Sequence, residues 1–135
     1  MKSTLKEVIK NFQNKKISKI IDRNIKVPLE SGKIVSLIGT RRSGKTFLLY
    51  QKINVLRSNG VDPRKIVFIN FEDERLLFTV KELDLILQAY RELYPEIPLE
   101  ECYLFFWWNT KCWRVGEIHK KDIWSGNQKY IHHRF

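Results

Sequence analysis

The chain has 135 residues, 43% hydrophobic and 30% charged, which is enough for one domain with a real core. Its 25 basic against 15 acidic residues give a net charge of +10, which permits a polyanion partner without identifying one. No apolar run approaches a membrane span, and the start MKSTLKEVIKNFQ lacks the apolar centre of a signal peptide, so a cytoplasmic chain with no membrane partner is expected.

Thr4 and Glu7 have capping-box spacing, and Leu5, Val8, Ile9 and Phe12 follow at helical intervals. They predict a first helix with one buried face. The basic stretch Lys15 to Lys19, continuing to Arg23 and Val27-Pro28, reads as a solvated connection.

Ile34 to Ile38 is an apolar, β-prone run that enters Gly39-Thr40-Arg41-Arg42-Ser43-Gly44-Lys45-Thr46, a full match to G-x-x-x-x-G-K-[ST]. A helical pattern follows, with Phe47, Leu48, Tyr50, Ile53 and Leu56 on its expected buried side. Strand, glycine loop and helix together form the context of a phosphate site. The glycines let successive backbone N–H groups converge on an anion, and the helix N-terminus adds partial positive charge there. In such a site Lys45 reaches the β- and γ-phosphates and the Thr46 hydroxyl binds Mg²⁺. Arg41 and Arg42 could present bidentate forks to phosphate oxygens, with at least one expected to face solvent. At average residue frequencies the pattern arises by chance in roughly one chain of this length in a few hundred. The alternative, a glycine turn with a solvated basic cluster, fits the loop without explaining its flanks. The expected ligands are ATP and Mg²⁺.

Ser58-Asn59-Gly60 stops the second helix, Asp62-Pro63 turns, and Ile66 to Ile69 reads as a buried parallel strand. The acidic loop Asn70-Phe71-Glu72-Asp73-Glu74-Arg75-Leu76 follows its C-terminal end, where open parallel sheets bind ligands. A second capping box, Thr79 with Glu82, opens a helix that buries Leu83, Ile86, Leu87 and Tyr90 and that Pro95 stops. Cys102 to Phe106 reads as a third strand. Cys102 and Cys112 lack metal-ligand spacing and are expected as free thiols.

Three segments, GTRRSGKTFLL, IVFINFEDERL and LDLILQAYRELYP, resemble one family. Residues 1–106 look like the N-terminal part of an archaeal AAA+-type P-loop ATPase. The resemblance implies an α/β fold, a P-loop NTPase-type parallel sheet with flanking helices and sheet order 5-1-4-3-2. It also implies ATP hydrolysis in intact members, with nucleic acid a candidate partner of that intact family. In the family the third strand ends in Asp-Glu, the Asp holding Mg²⁺ through water and the Glu polarising the attacking water. Trp107 and Trp108 stand at those positions, and indole can do neither. Asn70 matches the family's switch for the missing Glu, a switch left with nothing to hold. The chain is therefore expected to bind ATP and to hydrolyse it weakly or not at all.

Residues 107–135 depart from the family. All four Trp (Trp107, Trp108, Trp113, Trp124) and all three His lie here, and no Leu does. Back-translated and shifted forward one base, the segment permits GGIQNVGGWEKFIRRIYGQETKNIFITGS, with codon choices guided toward the family. Family members typically continue with D-E-I-Q-N-V, a Trp-containing helix and a strand ending I-T-G-S. The tail is thus expected to be out of frame, on a truncated chain keeping only the first three core strands. The strand Ile34 to Ile38 would then lose both partners, leaving marginal stability. A second reading makes the tail a basic, aromatic-rich nucleic-acid-binding module in which the Trp side chains stack on bases. Neither an arginine finger nor an oligomeric partner can be assigned from this chain.

Overall fold

The computed structural model describes residues 1–18, 20–29, 35–37, 42–76, 84–107 and 129–133. In chain order these contain α1 (Lys2–Asn14), β1 (Val35–Leu37), α2 (Lys45–Ser58), β2 (Ile66–Asn70), α3 (Asp84–Leu93), β3 (Tyr103–Trp107) and β4 (Lys129–His133). The strands form one parallel sheet in the order β1-β4-β3-β2. The fold is the expected α/β class, a P-loop NTPase-type sheet with flanking helices. The sheet remains incomplete, because no fifth strand beyond β1 occurs among the described residues.

The expected limit of three core strands is corrected. β4 comes from the tail and lies between β1 and β3, pairing Ile131 with Val35 on one side and with Phe105 on the other. β1 therefore keeps a partner that the sequence analysis denied it. The physical reason is that a ladder is built from backbone groups, so an extended five-residue segment can fill the slot whatever its descent. β3 also runs one residue further than expected. Trp107 pairs in register with Asn70, and its carbonyl accepts a bond from Phe71 N at 2.8 Å.

Side chains alternate between the two faces of β2 and β3, which divides the core in two. Val67, Ile69, Leu104 and Phe106 pack with Leu5, Val8 and Ile9 of α1 and Ile86, Ala89 and Tyr90 of α3. Ile66, Phe68 and Phe105 pack on the other face with Leu49, Ile53 and Leu56 of α2. Phe12, at the end of α1, reaches this second cluster and stacks on Phe68 with ring centroids 4.5 Å apart.

α1 buries Leu5, Val8, Ile9 and Phe12 as its spacing predicts, but Thr4 does not cap it. Met1 is the N-cap and no side chain bonds there. The extra turn is tied down from α3, where Glu92 accepts from Lys2 at 2.8 Å and pairs with Lys6 at 2.6 Å. The other end of α1 has no basic residue in its last turn, and Arg57 of α2 serves it instead, donating to the carbonyls of Phe12, Gln13 and Lys15.

α2 ends as Ser58-Asn59-Gly60 predicts. Gly60 takes φ +85, its N–H bonds Arg57 O and Val61 N–H bonds Leu56 O, the paired bonds of a Schellman cap. The buried side of α2 differs from the expected one at one position. Phe47 is 60% exposed and Leu49 is buried in its place. The two lie about 200° apart around the helix axis, so they cannot share a face. The second capping box, Thr79 with Glu82, and Leu83 lie outside the described residues, and α3 is described from Asp84 onward.

Candidate functional site

Because every strand is parallel, all C-terminal strand ends share one edge of the sheet, and β1 leads from that edge to α2. The glycine loop is described from Arg42 onward; Gly39, Thr40 and Arg41 lie outside the described residues. Arg42 has φ +61 and Gly44 φ +81, so the loop reverses twice in three residues before the helix begins. Gly44 is the left-handed N-cap of α2 and accepts the first helical bond, from Leu48 N at 3.0 Å. No side chain caps this helix start. An uncapped N-terminus leaves backbone donors and positive potential available to an anion.

Lys45 is the first helical residue and only 8% exposed. Its Nζ donates to Ser43 Oγ at 2.8 Å, and burial pushes its pKa below the ordinary lysine value. The stem of Lys45 is thus covered while its ammonium is held against the loop. Thr46 occupies the next position and is half-buried. Arg42 is exposed, as expected of at least one arginine of the loop.

At the neighbouring strand ends, Asn70 is the last residue of β2 and spends its side-chain oxygen on Glu72 N, 3.0 Å away. Asp73 is taken up by Arg75, which donates through Nε at 2.9 Å and Nη2 at 2.6 Å and pulls the carboxyl below its usual range. Trp107, the last residue of β3, is half-buried against the α2-side cluster and donates Nε1 to Glu72 at 3.4 Å. The end of β3 thus presents an indole, which carries one N–H donor and no carboxylate. Trp108, Trp113 and Trp124 lie outside the described residues.

A family model described as an AAA domain matches residues 31–107, more than half of the chain. The chain belongs to the AAA domain family. Its matched region spans the glycine loop, β2, the acidic loop and β3, and it stops at Trp107. The AAA chain is also similar to an uncharacterised protein, MJ1544, of the archaeon Methanocaldococcus jannaschii, 39% identical over 70 residues. That match covers 52% of this chain and 15% of the relative, so the chain spans a small part of its relative's length. No solved structure matches it.

Sequence reasoning missed two participants at the AAA loop. Arg23, read as part of a solvated connection, donates Nη1 to Ser43 O at 2.8 Å, and Gln51 of α2 holds the Arg23 backbone. Neither carries a local signal, because the contacts cross 20 and 28 residues of chain. Among the described residues no helix is long and apolar enough to cross a membrane.

Proposed function

We propose that this chain binds ATP with Mg²⁺ at residues 39–46 and turns it over weakly or not at all. The observation that carries the reading is the helix start itself. A left-handed Gly44, an uncapped α2 and a largely buried Lys45 make an anion cradle, while Trp107 stands where the family resemblance implies the Mg²⁺-holding Asp. Lys45 and the backbone N–H groups would hold the phosphates, with Gly39, Thr40, Arg41, Arg42, Ser43 and Gly44 shaping the loop. The Thr46 hydroxyl would hold Mg²⁺, whose charge offsets that of the phosphates. Asn70 would be the switch residue, idle without a glutamate to restrain. Binding retained and turnover lost follows from keeping the groups that hold phosphate and lacking the one that activates water.

The test is titration of the full chain with ATP, with and without Mg²⁺, by calorimetry, alongside phosphate release. Saturable Mg²⁺-ATP binding with no release above the chain-free rate is expected. A folded chain that does not bind, or turnover that Lys45→Met abolishes, would refute the reading.

We further propose that residues 107–135 are an out-of-frame tail on a cytoplasmic AAA-family ATPase gene. The family match stops at residue 107, where composition changes, and NIFIT of the shifted frame coincides with the five residues of β4. The nucleotide sequence from the codons of Phe105 and Phe106 onward decides it. An open shifted frame that continues the family is expected, and a shifted frame that closes at once would make the tail genuine.

The nucleic-acid reading gains no support from Trp107. Its ring is half-buried against the α2-side cluster and its N–H is given to Glu72, contacts within the fold that account for the residue without a base.

A further inference from the structure

The segment before β1 lies along α2. Gln51 clasps the Arg23 backbone from both sides, its Oε1 accepting from Arg23 N at 3.4 Å and its Nε2 donating to Arg23 O at 3.3 Å. The same Nε2 donates to the Asp22 carboxylate. This clasp sets the Arg23 guanidinium over the start of α2, seven residues or about 10 Å back along the helix. There Nη1 donates to Ser43 O at 2.8 Å, and the group lies 2.6 Å from where a Cβ on Gly44 would stand. Glycine at this position therefore does two things. It takes φ +81, and it leaves room for the guanidinium.

Ser43 C=O and Gly44 N–H belong to one trans peptide plane and point in opposite directions. A guanidinium holding the carbonyl on one side consequently turns the Gly44 N–H to the other. The geometry points to Arg23 as a positioning residue of the phosphate loop. It locks the Ser43–Gly44 peptide so that Gly44 N–H is aimed at the anion before the anion arrives. The inference rests on the nucleotide reading above, and it assigns to Arg23 a role without phosphate contact. Among the described residues Ser43 O is the acceptor Arg23 uses, and a preset donor saves the ordering that binding would otherwise have to supply.

The experiment compares ATP and ADP affinities of the full chain with those of Arg23→Ala, Arg23→Lys, Gln51→Ala and Lys45→Met, with a melting curve for each. Arg23→Ala is expected to weaken both nucleotides by about tenfold and by the same factor, the size of one charge-assisted bond. Arg23→Lys should recover part of the loss, and Gln51→Ala should show a smaller loss in the same direction. Melting temperatures of the lysine and Gln51 variants should stay near that of the parent. A loss confined to ATP would overturn the positioning role in favour of direct γ-phosphate contact. Unchanged affinity in Arg23→Ala, with Lys45→Met impaired, would overturn the inference and leave the nucleotide reading standing. Absence of binding by the parent chain would instead overturn the nucleotide reading.

Discussion

Replacing Lys45 by methionine should separate the two things this side chain does. The Lys45 side chain is largely covered, its ammonium is bonded to Ser43 Oγ at 2.8 Å, and its pKa is lowered by desolvation. Methionine keeps much of the buried stem and removes the charge. The bond to Ser43 Oγ contributes about 1 kcal/mol, so stability should fall by no more than about that amount. The liganded state is different. There the ammonium would exchange one neutral hydroxyl for two phosphate oxygens, each charge-assisted bond contributing about 2 kcal/mol. After subtraction of the surrendered hydroxyl bond, about 3 kcal/mol of binding is at stake, or roughly a hundredfold in Kd. Calorimetric titration with Mg²⁺-ATP and urea unfolding without nucleotide measure the two effects on the same protein. An affinity within threefold of the parent would refute the assigned role. A fall in stability as large as the fall in binding would show Lys45 to be a structural residue.

Three further outcomes follow from the packing. Gln13 is buried and joins three elements, donating to Arg64 O and Ile66 O at 3.1 Å each and accepting from Tyr94 Oη at 2.7 Å. Gln13→Met should cost about 1–3 kcal/mol in urea unfolding, since Ile66 O loses a bond that nothing apolar replaces; an unchanged midpoint would contradict this. Gly60 has φ +85 with open space around its Cβ position, so Gly60→Ala should cost about 1–2 kcal/mol from backbone strain alone. The loss would be seen in a thermal melt, and it should leave nucleotide affinity intact. Hydrogen bonds from Lys2 and Lys6 hold the Glu92 carboxyl down at about 2, against an ordinary value of 4.5. A carboxylate so depressed stabilises the fold above its unfolded value and loses that contribution as pH falls from about 4.5 toward 2. The parent should therefore lose more melting temperature than Glu92→Gln across that window, and parallel curves would rule the linkage out.

Local patterns carried much of this protein. The spacing of Leu5, Val8, Ile9 and Phe12 identified the buried face of α1, and Asn59-Gly60 marked the end of α2, because both depend on neighbours within a turn or two of chain. The glycine loop was legible for the same reason, since its chemistry lies in consecutive residues. So was the absence of a carboxylate at Trp107. What the chain could not disclose locally was pairing across distance. Whether β1 has a neighbour depends on a strand more than 90 residues further along, because any extended backbone can complete a ladder. That Phe47 faces solvent while Leu49 is buried depends on how α2 rolls against the sheet, a choice its apolar residues alone leave open. The partnership of Arg23 with Ser43 arises from a clasp 28 residues away in Gln51. Sequence by itself determined the glycine-loop pattern and the indole at the end of β3, which are properties of contiguous residues. Tertiary structure decided the neighbours of the loop strand and of the loop peptide, because those contacts exist only once distant segments are brought together.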